Sequence, residues 1–110
     1  MEQDWTALVL AADVPEGRPV RAVLGEDELL VYRRGEDVFV ADGRCTHQGA
    51  PLFRGRVAGV GTQLAVTCPA HGSVFRLLDG RVLRGPAVRP LRSFEARIEG
   101  GRVEVRRPPA

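Results

Sequence analysis

The sequence predicts an all-β domain, and three observations predict it. No window of the 110 residues carries apolar residues at the 3.6-residue period of an amphipathic helix. Short alternating or β-branched apolar runs recur instead, each bounded by turn residues. The 13 glycines and 8 prolines supply those turns. We therefore expect nine or ten short strands in a single domain over residues 1–110.

The first four strands are expected to form a meander in the N-terminal part of the chain. Their expected positions are 5–10, 19–24, 29–32 and 38–41. The first is mostly apolar and ends where Pro15 and Gly17 mark a turn. The second alternates in polarity, and the last two are β-branched, aromatic or leucine-rich. Gly25 and Gly35 begin the turns that separate the last three strands.

The remaining strands are expected around two aperiodic loops. Periodicity disappears from Asp42 to Gly55, where there is room for one short helical turn, and again over residues 68–73. The expected strands are 56–58, 63–67, 74–77, 94–98 and 103–105. Strand 74–77 is expected to form a hairpin with a further strand that follows Asp79-Gly80. Residues 85–90 read as a proline-punctuated loop, and Gly100-Gly101 as a two-residue turn with positive φ. Residues 106–110 are expected to fray.

Composition and charge exclude several function classes. Sixteen basic residues, all arginine, against 14 acidic ones give a formal charge of +2, too small for a dedicated nucleic-acid binder. No stretch reaches the roughly 18 apolar residues of a membrane span. The acidic N-terminus, Met1 to Asp4, is unlike a secretory signal. We expect a cytoplasmic protein.

The only cysteines and histidines form two tight pairs, Cys45-x-His47 and Cys68-x-x-His71. Thiolate and imidazole donors in paired loops indicate a metal site. A disulfide would leave the histidines unexplained and is disfavoured in the cytoplasm. A structural zinc accepts this donor set, although the one-residue gap in the first pair is short for one tetrahedral ion. A c-type haem needs Cys-x-x-Cys-His, which is absent.

The residues around these pairs resemble the two cluster-binding boxes of Rieske proteins. C-T-H-Q-G-A-P-L and C-P-A-H-G-S-V-F follow the patterns C-x-H-x-G-x-x-L and C-P-x-H-G-x-x-F, and the likeness extends over roughly residues 5–105. It implies a Rieske-like β-sandwich with a small cluster-binding subdomain at about 43–86, made of two ligand loops and a proline loop. It also implies one [2Fe-2S] cluster per chain, with Cys45 and Cys68 on one iron and His47 and His71 on the other.

The resemblance also assigns roles to the other residues of the boxes. Gly49 and Gly72 would let backbone N–H groups approach the cluster sulfurs, although a turn would equally select glycine. Ser73 would donate a hydrogen bond to a bridging sulfide or simply serve the turn. Leu52 and Phe75 would shield the cluster from below. The cofactor-contacting residues implied are Gln48, Gly49, Leu52, Gly72, Ser73, Phe75 and Pro86, the last covering the cluster from a third side.

Small chains of this kind resemble the ferredoxin components of bacterial aromatic-ring dioxygenase systems. That likeness implies a monomeric one-electron carrier between a flavoprotein reductase and a terminal oxygenase or other acceptor, and not an enzyme. The small Rieske subunit of a nitrite reductase complex is the alternative. No histidines remain for a mononuclear iron site, so oxygenase catalysis by this chain alone is excluded.

The arginines near the three loops suggest how a partner would dock. Because electron tunnelling falls steeply with distance, docking is expected at the cluster tip. A basic rim that binds acidic partner surfaces would be formed by Arg44, Arg54, Arg56, Arg84 and Arg89. The competing interpretation is that these arginines are scattered, solvated surface residues.

Overall fold

The computed structural model of the chain describes residues 4–107 and is built from short β-strands. The strands are β1 Thr6–Leu10, β2 Val20–Leu24, β3 Asp27–Arg34, β4 Asp37–Asp42, β5 Arg56–Ala58, β6 Ala65–Thr67, β7 Val74–Arg76, β8 Val82–Arg84, β9 Ser93–Glu99 and β10 Arg102–Arg106. Single 3-10 turns lie at Ala11–Asp13, Leu52–Arg54 and Gly61–Gln63. The all-β class is confirmed. Over the same residues, no helix has the length and apolar character needed to cross a membrane.

The strands form two antiparallel sheets. The large sheet has the order β1-β10-β9-β4-β3-β2, and the small sheet has the order β5-β6-β7-β8. The two edge strands of the large sheet, β1 and β2, contact each other, so this sheet curls towards a barrel. The small sheet carries the second aperiodic loop between β6 and β7.

The expected meander is correct for β2, β3 and β4 but wrong for β1. Two-residue turns join the three consecutive strands, with Gly25 and Gly35 at φ +62° and +61°. In contrast, β1 pairs with β10 at the far edge, with Thr6 opposite Val105. The longer connection between β1 and β2 lets the chain cross the gap between the two edges, which a tight turn would not allow.

Several expected element boundaries also change. The strand expected at 63–67 begins only at Ala65, because Gly61–Gln63 form a 3-10 turn. The strand expected at 29–32 extends to Asp27–Arg34. The prediction that the chain frays from residue 106 is wrong for Arg106 and Arg107. Arg106 lies in β10, with its guanidinium 4.4 Å from the centre of the Trp5 ring. Arg107 pairs with Asp27 at 2.7 Å. Residues 108–110 lie outside the described chain.

Strand β3 is the wall between two apolar cores. Its side chains alternate, so Leu29 and Val31 face the interior of the curled sheet while Leu30 and Tyr32 face the small sheet. All four are at most 2% exposed. The core between the two sheets, which contains Leu30 and Tyr32, also contains both cysteines. One face of the large sheet therefore packs beneath the predicted metal-binding loops.

The Asp79-Gly80 signal does mark a hairpin, between β7 and β8, but five residues connect the strands. Gly80, at φ +77°, accepts a hydrogen bond from the Leu91 N–H at 2.9 Å. A Cβ atom added to Gly80 would lie 2.1 Å from the Leu91 carbonyl oxygen. The close approach of these two backbones fixes where the chain leaves the proline loop for β9.

Candidate metal centre

The first ligand loop, residues 43–55, is closed by backbone hydrogen bonds around Cys45. The Cys45 N–H donates to the Ala50 carbonyl at 2.9 Å, and the Gly49 N–H donates to the Cys45 carbonyl at 2.8 Å. At its base, the Leu52 N–H donates to the Gly43 carbonyl at 2.8 Å. The loop therefore presents residues 45–48 from a rigid turn.

The second ligand loop repeats this backbone frame. The Cys68 N–H donates to the Ser73 carbonyl at 2.7 Å, and the Gly72 N–H donates to the Cys68 carbonyl at 3.2 Å. In both loops a glycine therefore stands four residues after the cysteine, at φ +78° for Gly49 and +80° for Gly72. Because both glycine N–H groups already bond to carbonyls, the structure favours the turn requirement as the reason for glycine at these positions.

The cysteines point inward and the histidines outward. Cys45 and Cys68 are each 3% exposed, both are free, and both lie in the same buried core. His47 is half-buried and His71 is exposed, with their ring centroids 5.2 Å apart at 85°. Each loop thus contributes one member to a buried sulfur pair and one member to an imidazole pair at the surface.

The environment of Cys45 is built to hold a thiolate that a cation neutralises. Burial raises the pKa of the Cys45 thiol, while the backbone N–H groups of His47 and Gln48 lower it, and the neighbouring Cys68 raises it. A free thiolate is disfavoured in this apolar pocket, yet two N–H donors already face the sulfur. Coordination to a metal ion would supply the positive charge that the pocket lacks.

The donor set fits a binuclear iron-sulfur cluster. Two thiolates on one side and two imidazoles on the other match two metal ions that each take two protein donors. The pairwise arrangement therefore fits two bridged irons better than one tetrahedral zinc, and both sulfurs remain available because no disulfide joins them.

A third loop, residues 85–90, is tied to both ligand loops. The Ala87 N–H donates to the Ser73 hydroxyl at 3.0 Å, and the Thr46 hydroxyl donates to the Arg89 carbonyl at 2.6 Å. Ala87 is buried, whereas Pro86, which follows a cis peptide bond, is exposed. The sequence prediction missed Thr46, although a hydroxyl between two ligands was a signal that could have been followed.

The predicted shielding residues lie beneath the loops. Leu52 and Phe75 are fully buried in the core that contains both cysteines. Phe53 is half-buried against the same core, with the Arg44 guanidinium 5.7 Å from its ring centroid. Gln48, also predicted to contact the cofactor, is exposed, in contrast to the buried Leu52 and Phe75.

The predicted basic rim loses one member. Arg44 is bound to Glu28 through Nε at 2.7 Å and Nη2 at 3.1 Å, and Glu28 also pairs with Arg21, so Arg44 is held in an ion-pair network within the protein. This pair could not be anticipated because 16 residues separate its members. The other four rim arginines are exposed and, among residues 4–107, have no carboxylate within salt-bridge distance: Arg54, Arg56, Arg84 and Arg89.

The ion pair of Glu28 with Arg44 predicts that the stability of the fold depends on pH in the acid range. Arg44, followed by Arg21, lowers the pKa of Glu28 from 4.5 to about 2. A carboxylate whose folded pKa lies below its unfolded pKa stabilises the fold above pH 4.5, and this contribution is lost as the pH falls towards 2. We expect the thermal unfolding midpoint of Glu28→Gln to fall less steeply than that of the wild type between those pH values. Circular dichroism melts measure it, and parallel curves would contradict the role of Glu28.

Comparisons with known proteins agree with this site. The family model described as the Rieske [2Fe-2S] domain matches residues 4–95. Ferredoxin CarAc of Metapseudomonas resinovorans is 33% identical over 107 residues, covering 96% of this chain and 95% of that protein.

Two solved structures are also similar. The ferredoxin-sized chain in a complex of reduced oxygenase and oxidized ferredoxin of carbazole 1,9a-dioxygenase aligns with a TM-score of 0.81 and 29% identity, covering 99% of this chain and 100% of that one. A putative NADH-dependent nitrite reductase small subunit from Mycobacterium tuberculosis aligns with a TM-score of 0.83 and 26% identity, covering 100% of each chain. The family model, the fold and the donor set agree, and the chain belongs to the Rieske [2Fe-2S] domain family, whose cluster this donor set fits.

Proposed function

We propose that this protein is a one-electron carrier whose Rieske-type [2Fe-2S] cluster is held by Cys45 and Cys68 on one iron and by His47 and His71 on the other. The arrangement of a buried thiol pair and a surface imidazole pair carries the proposal. When bound, the cluster would accept and release a single electron. The similarity to ferredoxins supports an electron carrier and not an enzyme in its own right.

The burial of the four ligands indicates through which side of the site an electron would enter and leave. The thiols lie in an apolar core under Leu52 and Phe75, which keeps water from the sulfur side. The imidazoles lie at the surface, where the exposed His71 ring is the shortest route for an electron to a docked protein.

The partners are proposed from the relatives. A solved complex of a similar ferredoxin with its oxygenase supports a terminal oxygenase as the acceptor, and a flavoprotein reductase is proposed as the donor. A complete ligand set within one chain supports a monomer with one cluster. We further propose a single domain over 1–110 with a cluster-binding subdomain at about 43–86, working in the cytoplasm.

A stably bound small subunit of a nitrite reductase is the second candidate, because the TM-score to the putative nitrite reductase small subunit, 0.83, is as high as the 0.81 to the dioxygenase ferredoxin. Purification of the tagged protein from its own source separates the two. Recovery as a lone, reversibly reducible monomer supports the carrier, and stoichiometric recovery with a large reductase chain supports the subunit.

Anaerobic purification and an electron paramagnetic resonance spectrum of the reduced protein test the carrier function. We expect two irons per chain, a signal with the low average g value of histidine-ligated iron, and repeated loss and return of visible absorption on reduction and reoxidation. Irreversible bleaching or stoichiometric zinc would contradict the function.

Ser73 is predicted to tune the potential. Its hydroxyl accepts from Ala87, which leaves its own proton free to stabilise negative charge on a cluster sulfur. We expect Ser73→Ala to lower the reduction potential in a spectroelectrochemical titration. Thr46→Val is the control, because it releases the same proline loop from the other side without removing that proton. Equal shifts in both variants would assign the effect to the loop instead of the hydroxyl.

A further inference from the structure

The small net charge conceals a strong separation of charge along the chain. Residues 43–91 contain seven arginines and one carboxylate, Asp79, whereas the rest of the sequence contains nine arginines and thirteen carboxylates. With histidines neutral, the segment that carries both ligand loops has a formal charge of +6 and the rest a charge of −4. The protein is therefore an electrostatic dipole with its positive end at the candidate metal centre.

Ion pairing sharpens this separation. Four of the six arginines in the strands of the large sheet pair with carboxylates, among them Arg21 with Glu28 at 2.6 Å and Arg97 with Glu104 at 2.8 Å. Asp79 is itself bound to Arg76 at 2.7 Å, so it does not offset the loop arginines. The charges left free next to the histidines are thus positive.

Two of the free arginines line a cleft beside the second ligand loop. The cleft has a volume of about 530 Å³ and is formed by Arg54, Gly55, Arg56, Thr67, Cys68 and Pro69. Within this lining, the backbones of Gly55 and Thr67 pack closely, because a Cβ on Gly55 would lie 2.2 Å from the Thr67 carbonyl oxygen. A carboxylate seated between the two guanidinium groups would lie against the backbone of a cluster ligand.

The other two free arginines flank an apolar tip. Val88, in the proline loop, is 87% exposed and lies between Arg84 and Arg89 along the chain. Leu83 in β8 is also exposed, at 45%. An exposed apolar side chain flanked by charged ones is typical of protein interfaces, where a small apolar centre is surrounded by polar residues.

We propose that this loop face, defined by the Arg54–Arg56 cleft, His71 and Val88 with its flanking Arg84 and Arg89, docks on an acidic surface of its protein redox partners. A partner carboxylate enters the cleft between Arg54 and Arg56, and an apolar partner group covers Val88. The proposal rests on the electron-carrier function and specifies the chemistry of its partner. The apolar tip favours a protein over a nucleic acid, whose backbone offers charge alone.

Electron transfer to a small anion tests the field at this face. The reduced holoprotein is mixed with ferricyanide in a stopped-flow instrument at increasing salt. We expect the rate constant to fall by about tenfold or more between roughly 20 and 300 mM salt. The double variant R54Q/R56Q should be slower than the wild type by about threefold or more at the lowest salt.

The matched control is R18Q/R102Q, which removes the same net charge from the opposite end. Arg18 lies in a turn bonded to the far end of β3 through Gly17, and Arg102 begins β10 at the end of β9 furthest from the proline loop. An equal effect of both double variants, or a rate independent of salt, would overturn the docking face. A normal spectrum in each variant separates this failure from failure of the carrier function, because loss of the cluster would appear as loss of the signal.

Binding to model polyanions tests the class of partner. Fluorescence anisotropy with labelled poly-L-glutamate and with a DNA oligonucleotide of equal charge reports both affinities. We expect poly-L-glutamate binding to weaken in R54Q/R56Q and not in R18Q/R102Q. Tighter binding of the oligonucleotide than of poly-L-glutamate would overturn the assignment of a protein partner.

Discussion

Replacing Cys45 by serine is expected to abolish the [2Fe-2S] cluster, so that the purified variant lacks the visible absorption and the reduced-state paramagnetic signal of the wild type. Cys45 is 3% exposed and shares a buried core with Cys68, and within residues 4–107 no third thiol exists to replace it. Iron content per folded chain measures the effect, with circular dichroism reporting the fold. His71→Ala is expected to lose the same signal, because it removes one of only two imidazole donors.

Gln48→Ala provides the control for these substitutions. Gln48 lies between the same ligands, but its side chain is exposed and only its backbone N–H faces the Cys45 sulfur, which alanine preserves. This variant should keep two irons per chain and an unchanged spectrum. Full cluster content in Cys45→Ser, or equal loss in Gln48→Ala, would contradict the assigned ligands.

Short-range features of the site were accessible from the sequence because the relevant physics is local. The two Cys/His pairs, the turn glycines and the alternation in β3 all depend on residues within a few positions of one another. The same holds for Gly100-Gly101, which forms the expected two-residue turn with φ of +58° and +78°. Local patterns therefore located the strands and the loops that hold the ligands.

Long-range features were not accessible, because a single sequence does not say which distant segments meet. The pairing of β1 with β10 joins the two ends of the chain. Glu28 and Arg44 are 16 residues apart, and Thr46 and Arg89 are 43 apart. These contacts decide which arginine is neutralised and how the third loop is held, so the basic rim was predicted with one member too many.

Charge separation is an intermediate case. The counts that give +6 and −4 are present in the sequence, but the total of +2 hides them. Only the fold shows that residues 43–91 surround the histidines and that most arginines in the strands of the large sheet pair with carboxylates. The net charge alone argued only against nucleic-acid binding. The structure shows in addition that the positive charge is concentrated at one end of the molecule.

Gly80→Ala is expected to destabilise the fold by about 3 kcal/mol, which would be a large share of the stability of a domain of this size. Two effects add at this position. An L-residue at φ +77° is strained by about 1 to 2 kcal/mol. The new methyl group would also lie 2.1 Å from the Leu91 carbonyl oxygen, so the backbone that follows the proline loop must move. Urea unfolding followed by circular dichroism measures the loss.

Gly100→Ala separates the two effects, because Gly100 also has positive φ, at +58°, but an added Cβ atom would have no atom within 4 Å. It should lose only the conformational part, about 1 kcal/mol. Equal losses in the two variants would show that the Gly80–Leu91 contact tolerates a side chain. A larger loss in Gly80→Ala, together with faster release of iron, would show that this contact also holds the proline loop against the ligand loops, since Leu91 shares the buried core with Ala87 and both cysteines.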